Sequence, residues 1–116
     1  MGHSICIKLL NRRQFIMVKT ISMEKFIEKN DKSDLHVIDV REVLEYKLGG
    51  HIPGAKNMPL SKLQKKYTEL DKNEEYYVVC QSGGRSQQAC QFLEQAGYKT
   101  TNVLGGMSMW SGKKER

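Results

Sequence analysis

The chain has 116 residues, of which 39% are hydrophobic and 28% are charged, and this fits one globular domain with a modest core. Its 19 Lys and Arg exceed its 13 Asp and Glu by six, so its surface attracts anions in general. The lysines are scattered and do not alternate with aromatic residues, which disfavours a nucleic-acid groove and leaves a specific polyanion partner as the weaker alternative. No apolar run is long enough to span a membrane, so we expect no membrane partner.

The three cysteines are Cys6, Cys80 and Cys90, which are too few and too irregularly spaced for a disulfide framework. No C-x-x-C pair or Cys/His cluster indicates a metal site, and we expect neither a metal nor a cofactor. This usage predicts a reducing, cytoplasmic compartment and at least one free thiol.

The first sixteen residues do not read as part of a domain. Their apolar patch, residues 5–10, is short, is broken by Lys8 and is followed by Arg12 and Arg13, whereas a secretory signal places its charge first. Met17 opens the first convincing domain sequence. We therefore divide the chain into an extension over 1–16, either disordered or left from cloning, and a domain over 17–116.

The first half of that domain alternates apolar runs with helical patterns. Ser22 is a plausible N-cap for the first helix, and Gly49-Gly50 is a stop for the second. The predicted elements are, in chain order, a strand over 18–21, a helix over 23–29, a buried strand over 35–40, a helix over 42–48, a turn over 51–54 and a short helix over 61–67.

The second half repeats this alternation. Residues 76–79 form a strong strand pattern, and from Ser86 onward apolar side chains recur at helical spacing up to Gly97. A last short strand over 102–104 precedes a turn that ends at Trp110. Alternating strands and helices predict an α/β fold with a largely parallel sheet. Ligands of such folds bind beyond the carboxyl ends of the strands, where Cys80 and Asp39 would lie.

Cys80 stands at a predicted strand-to-helix turn. The N–H groups of the following helix, a nest that Gly83 and Gly84 allow the backbone to form, and the charge of Arg85 would each favour a thiolate. Ser86 could cap the helix and hydrogen-bond a loop group. The alternative is a buried cysteine before an ordinary glycine turn, and the Gly-Gly-Arg-Ser sequence favours the reactive thiolate.

Cys90 lies on the predicted helix beside its apolar face. It is about three helical turns beyond Cys80, which is too far for a disulfide without rearrangement. We interpret Cys90 as a small buried residue rather than a resolving cysteine, and Cys6 as less favoured still for that role.

Four motifs between about 18 and 110 together resemble a single-domain rhodanese of the thiosulfate sulfurtransferase-like family. They are Asp39-Val40-Arg41-Glu42 with Glu45-Tyr46, Gly50-His51-Ile52-Pro53-Gly54-Ala55 with Asn57, Cys80 to Ser86, and Leu104-Gly105-Gly106-Met107 with Trp110. The resemblance implies the rhodanese-like α/β fold, with a mostly parallel sheet and helices on both of its faces. It also implies a small anionic sulfur donor and a monomer or weak dimer.

The implied activity is sulfur transfer through a persulfide. Thiosulfate or a similar donor would pass its outer sulfur to Cys80 and release sulfite, and cyanide, a thiol or a protein would then remove that sulfur. By the same resemblance the substrate-binding loop consists of Gln81, Ser82, Gly83, Gly84, Arg85 and Ser86, with Arg85 holding both loop and anion.

Three positions outside the loop are interpreted through the same resemblance. Asp39 and Arg41 would lie near the loop and support it, with Asp39 bracing Arg85; the alternative, equally favoured, is that they only pair with each other at the strand end. His51 belongs to a turn motif and is interpreted as structural rather than as a general base. Met107 and Trp110 are interpreted as packing residues.

Two other functions fit parts of this pattern. A cysteine phosphatase or arsenate reductase also uses a cysteine, an anion cradle and an arginine, but its loop has one residue more than the four between Cys80 and Arg85, and no aspartate is marked as the leaving-group acid. The second alternative is a module that carries a persulfide to a protein partner, which an intact Cys80 does not distinguish from a free-standing enzyme.

Overall fold

The structure, a computed structural model, describes residues 17–116, so the predicted extension and Cys6 lie outside the described residues. Three 3₁₀ turns, Leu60–Lys62, Tyr67–Glu69 and Gly106–Met109, accompany the regular elements. The helices and strands are β1 Lys19–Ile21, α1 Met23–Lys32, β2 His36–Asp39, α2 Val43–Leu48, β3 Lys56–Asn57, α3 Leu63–Lys66, β4 Glu75–Val79, α4 Gly84–Gln95 and β5 Lys99–Val103.

The five strands form one parallel sheet in the order β1-β5-β4-β2-β3. Successive strand residues point to opposite faces, so Val78 and Val79 enter two different apolar clusters. Phe26 of α1 packs in the cluster on one face, and Leu63 of α3 and Leu93 of α4 pack in the cluster on the other. The predicted α/β fold with helices on both faces is confirmed.

The last strand begins earlier than its apolar residues indicate. β5 starts at Lys99 and includes Thr100, Thr101 and Asn102, all of which are buried. Thr100 is accommodated because its backbone N–H and its hydroxyl both donate to Glu94 Oε2 of α4, at 2.9 and 3.0 Å. Polar residues of this strand therefore find partners in tertiary structure that the sequence pattern does not reveal.

The first helix begins as predicted and ends later. Ser22 Oγ accepts a hydrogen bond from the Lys25 N–H at 3.1 Å, which satisfies one free donor of the first turn. The helix continues to Lys32 rather than ending at Lys29. No helix within residues 17–116 combines the length and the apolar character that a membrane crossing needs.

Candidate active site

The Cys80 loop lies between β4 and α4, at the carboxyl edge of the central strand. Val79 is the last residue of β4, and the chain turns through residues 80–83 before α4 begins at Gly84. The turn requires a left-handed residue, Gly83, whose φ is +113°. The loop thus sets the cysteine sulfur in front of the first turn of α4.

The sulfur of Cys80 is surrounded by hydrogen-bond partners. The N–H groups of Gly83 and Ser86 lie 3.0 and 3.3 Å from Sγ, and the Ser86 hydroxyl oxygen lies 3.3 Å from it. The residue is only 1% exposed, whereas Gln81 and Ser82 above it are exposed. Burial raises the pKa of the thiol, but the hydrogen bonds from Ser86, Gly83 and Ser82 outweigh it and bring the pKa below its ordinary value.

Arg85 is turned toward a carboxylate on another helix. Its Nη1 and Nη2 lie 2.6 and 2.9 Å from Oε1 and Oε2 of Glu45 in α2. The bidentate pair lowers the pKa of Glu45 to about 2 and, together with the nearby charge of Cys80, raises that of Arg85. Glu45 was quoted in the sequence motif without a role. The sequence feature that marks Glu45 is its position three residues after Glu42, which is the spacing of a capping box. The two residues form that capping box at the start of α2.

Asp39 does not brace Arg85. Its carboxylate accepts from Arg41 Nε at 3.0 Å, from Arg41 Nη2 at 2.9 Å and from the Arg41 backbone N–H at 3.0 Å. Both residues are buried, at 0% and 3% exposure. Of the two interpretations the structure thus favours the internal pair. Arg41 Nη2 also donates to the Gly50 carbonyl at 2.8 Å, so the pair fixes the two ends of the segment that carries Glu45.

The turn after β5 holds the backbone of the Cys80 loop from below. Met107 N–H donates to the Cys80 carbonyl at 2.8 Å, and Ser108 N–H donates to the Gln81 carbonyl at 2.9 Å. A Cβ at Gly106 would stand 2.2 Å from the Cys80 carbonyl oxygen, so only glycine permits this approach. The glycine pair of the fourth motif is therefore part of the site.

The other motif residues pack rather than face the sulfur. The His51 ring stacks on Tyr46, with centroids 3.6 Å apart, and its Nδ1 lies 3.1 Å from the Tyr46 carbonyl oxygen. Trp110 packs against Phe26, and Met107 is buried in the same cluster. These positions agree with the structural roles expected of His51, Met107 and Trp110.

Cys90 is fully buried on α4, and burial raises the pKa of its thiol to about 11. It is a free thiol, as is Cys80. A thiol with so high a pKa is a poor nucleophile at neutral pH, which agrees with the interpretation of Cys90 as a packing residue. Within residues 17–116 no three His, Cys, Asp or Glu side chains are grouped as metal ligands.

Sequence reasoning missed one polar residue of the site, Asn102 of β5. Its Oδ1 lies 2.5 Å from Ser86 Oγ, and it is 2% exposed. The only signal in the sequence was a polar amide directly before two apolar residues of a strand. The arrangement as a whole directs two backbone N–H groups at a single sulfur and places the Ser86 hydroxyl beside it, which can stabilise negative charge on that atom.

Comparison with known proteins places this geometry in context. Residues 22–113 match the family model of the rhodanese-like domain. YrkF of Bacillus subtilis, described provisionally as a sulfur carrier protein, is 41% identical over 100 residues, which are 84% of this chain and 54% of that protein. The chain thus spans about half the length of that relative.

Two further proteins are similar over most of their length. The thiosulfate sulfurtransferase GlpE of Coxiella burnetii is 32% identical over 96 residues, which are 82% of this chain and 89% of that protein. The crystal structure of a rhodanese-like domain protein from Staphylococcus aureus superposes with a TM-score of 0.77 at 34% identity, covering 83% of this chain and 94% of that one.

Proposed function

The chain belongs to the rhodanese-like domain family, and we propose that it is a sulfurtransferase that moves sulfane sulfur through a persulfide on Cys80. The observation that carries this proposal is the pair of backbone N–H groups, of Gly83 and Ser86, that donate to the Cys80 sulfur at 3.0 and 3.3 Å. Sulfur transfer is the chemistry named for the relatives that the chain resembles. We further propose that the sulfur donor is thiosulfate, which is more specific than sulfur transfer in general.

The reaction we propose has two displacements. The Cys80 thiolate attacks the outer sulfur of thiosulfate, the S–S bond of the donor breaks, and sulfite leaves with that electron pair. The outer sulfur then carries the negative charge of a persulfide, which the N–H groups of the loop can stabilise as they do the thiolate. Attack by cyanide on that sulfur releases thiocyanate and regenerates the Cys80 thiolate.

Two features of the loop support sulfur over phosphate as its substrate. Gly83 N–H reaches the Cys80 sulfur itself, at 3.0 Å, so the loop is closed around one atom rather than open around a tetrahedral anion. Arg85, which a phosphatase would turn toward the phosphate oxygens, is engaged by Glu45. We therefore disfavour a cysteine phosphatase or arsenate reductase.

The surroundings of the loop support a protein thiol as the sulfur acceptor. On one side Leu44 and Leu48 of α2 are 67% and 72% exposed and flank Glu45, the partner of Arg85. On the other side Leu104 and Met109, at 45% and 62%, flank the turn that holds the loop. Single exposed apolar side chains are ordinary, but two on each of the two segments that contact the loop, together called the apolar rim, suit a contact surface.

Basic residues lie beside this apolar rim of Leu44, Leu48, Leu104 and Met109. Arg116 Nε donates to the Leu48 carbonyl at 3.3 Å, and Lys114 lies against Gly50 at the end of α2. Lys47, Lys113, Lys114 and Arg116 are all exposed. We propose an acceptor protein whose cysteine lies in an apolar and acidic surface, because its charge would complement these cations.

Intact-protein mass spectrometry after incubation with thiosulfate tests the persulfide. Wild type should gain the mass of one sulfur atom and lose it on addition of cyanide. Failure to load, combined with hydrolysis of an aryl phosphate, would replace the proposal with the phosphatase.

Two cysteine peptides of equal length test the acceptor. Persulfide-loaded protein should transfer sulfur faster to a Leu/Glu-rich peptide than to a Gly/Lys-rich one. Leu44→Ser with Leu48→Ser should reduce this preference and leave the rate with cyanide unchanged. Equal rates with both peptides in wild type would refute the apolar and acidic acceptor. That result would leave the proposal of a Cys80 persulfide unaffected.

A further inference from the structure

Asn102 is a buried polar side chain that the reaction above does not use. It lies near the carboxyl end of β5, is 2% exposed and faces the first turn of α4. Its Oδ1 is 2.5 Å from Ser86 Oγ, and its Nδ2 is 3.2 Å from Gln87 Oε1 and 3.4 Å from the Gly83 carbonyl oxygen. All hydrogen-bond partners of this buried amide lie on the Cys80 loop or in the first turn of α4. A buried polar group placed there needs a functional explanation.

The role follows from counting the protons of Ser86. Its hydroxyl has one proton to donate and lies within reach of three acceptors, the sulfur of Cys80 at 3.3 Å, the Gly83 carbonyl at 3.1 Å and Asn102 Oδ1 at 2.5 Å. While Cys80 is a thiol, its S–H donates to Ser86 Oγ, and Ser86 donates to Asn102. Every partner in this chain of donors is then satisfied.

When the Cys80 thiol loses its proton, the sulfur changes from a hydrogen-bond donor to Ser86 into an acceptor. The thiolate accepts only, so the Ser86 hydroxyl must turn toward it, and Oδ1 of Asn102 would then face an oxygen lone pair. Half a turn of the Asn102 amide places Nδ2 there instead, as a donor to Ser86 Oγ. The amide of Gln87, which is only partly buried, can turn likewise and donate to Asn102 Oδ1.

We propose that Asn102 is a positioning residue, which reverses its side-chain amide so that Ser86 accepts from the Cys80 thiol and donates to the sulfur anion. The anion is the thiolate on Cys80 Sγ. Arg85 and Cys90, both on α4, are titratable groups whose charge couples to Cys80. Neither contacts Asn102 by a hydrogen bond, so both can be kept constant while Asn102 is varied.

Two substitutions of Asn102 separate this role from packing. Asn102→Asp accepts only and holds the Ser86 proton away from the sulfur, whereas Asn102→Leu neither accepts nor donates and leaves that proton free. The rate of Cys80 alkylation by iodoacetamide against pH reports the thiolate without any sulfur transfer. Its midpoint should rise by about one pH unit in Asn102→Asp, the size of one lost hydrogen bond to a charged group, and stay within about half a unit of wild type in Asn102→Leu.

Ser86→Ala distinguishes the positioning of Ser86 from the added charge of Asn102→Asp. In the wild-type background it should raise the midpoint by a similar amount, whereas in the Asn102→Asp background it should add little, because the hydroxyl is already withdrawn from the sulfur. Equal shifts in both backgrounds would show that the aspartate acts by charge alone and would overturn the proposal. If alkylation behaves as expected but thiosulfate does not load the protein, the proposed function fails and the role of Asn102 stands.

Nuclear magnetic resonance tests the amide reversal in the wild-type protein, with Cys80→Ser as the control. The side-chain NH₂ signals of Asn102 and Gln87 should shift with pH at the same midpoint as Cys80 alkylation. In Cys80→Ser, where no thiol titrates, they should stay constant over that range. Signals that do not move in wild type, or that move equally in Cys80→Ser, would overturn the proposal.

Discussion

Glu45 holds Arg85 by two parallel hydrogen bonds, Nη1 to Oε1 at 2.6 Å and Nη2 to Oε2 at 2.9 Å, and so joins α2 to the active loop. Both side chains remain more than a third exposed. The pair therefore contributes little to the free energy of unfolding. It fixes the position of the Arg85 guanidinium and reduces the positive charge that acts on an approaching anion.

Glu45→Gln should strengthen the binding of thiosulfate. Without the carboxylate, the charge of Arg85 is no longer compensated, and we expect KM for thiosulfate to fall by about threefold with kcat nearly unchanged. Steady-state kinetics with cyanide as acceptor measures this, and added salt should reduce the difference because it screens exposed charges. A rise in KM would instead mean that Glu45 serves the anion by positioning Arg85.

The Glu45–Arg85 pair should make the free energy of unfolding depend on pH in the acidic range. Because the pKa of Glu45 is lowered from 4.5 to about 2, its contribution is present above 4.5 and is lost as the pH falls toward 2. Solvent screening limits that contribution to less than about 1 kcal/mol. Urea unfolding of wild type and Glu45→Gln should therefore differ at about pH 6 and converge near pH 2. A difference that persists in acid would contradict the lowered pKa.

Cys80 and Cys90 should differ completely in sulfur loading. Cys80→Ser should take up no sulfur from thiosulfate. Cys90→Ala should load to the same extent as wild type, because the Cys90 thiol of the wild type is buried and its pKa is raised to about 11. Mass spectrometry of both variants, with far-ultraviolet circular dichroism as the folding control, measures this. Loading of Cys80→Ser would assign the persulfide to another residue.

Gly106 should tolerate alanine far less well than Gly54. Both have positive φ, at +53° and +84°, so alanine meets backbone strain at each. Only at Gly106 would the added Cβ collide, 2.2 Å from the Cys80 carbonyl oxygen; at Gly54 nothing lies within 4 Å. We expect Gly54→Ala to cost about 1 kcal/mol and to keep activity, and Gly106→Ala to cost about 3 kcal/mol or more and to abolish it. Similar costs in urea unfolding would contradict the close contact.

The buried Asp39–Arg41 pair should matter more to folding than an exposed pair. Asp39→Ala leaves a buried guanidinium without its counter-charge and should cost about 3 to 5 kcal/mol. The matched control is Glu75→Gln, which breaks the exposed pair with Lys19 and should change stability by less than about 1 kcal/mol. If both variants lost the same stability, the pair would be of no special importance to the fold.

The sequence predicts what depends on local pattern and misses what depends on tertiary contact. Apolar runs located the central strands, and the glycines located the turn that presents Cys80. Of the two equally favoured alternatives for Asp39, the structure shows the pair with Arg41, because a partner two residues away satisfies the carboxylate locally. Asn102 was missed, and Glu45 was given no role, because each acquires its partner from a distant element, 16 and 40 residues along the chain.

The two hydrogen bonds from Met107 and Ser108 to the loop carbonyls tie the reactive residue to the last turn of the domain. Any opening that displaces the Cys80 carbonyl must break them, so the loop and the turn open as one cooperative unit. The amide protons of Met107 and Ser108 should then exchange with solvent through that opening, and a reagent too large for the closed loop should reach the sulfur only through it. Access to the Cys80 sulfur should thereby depend on a segment more than twenty residues away in sequence.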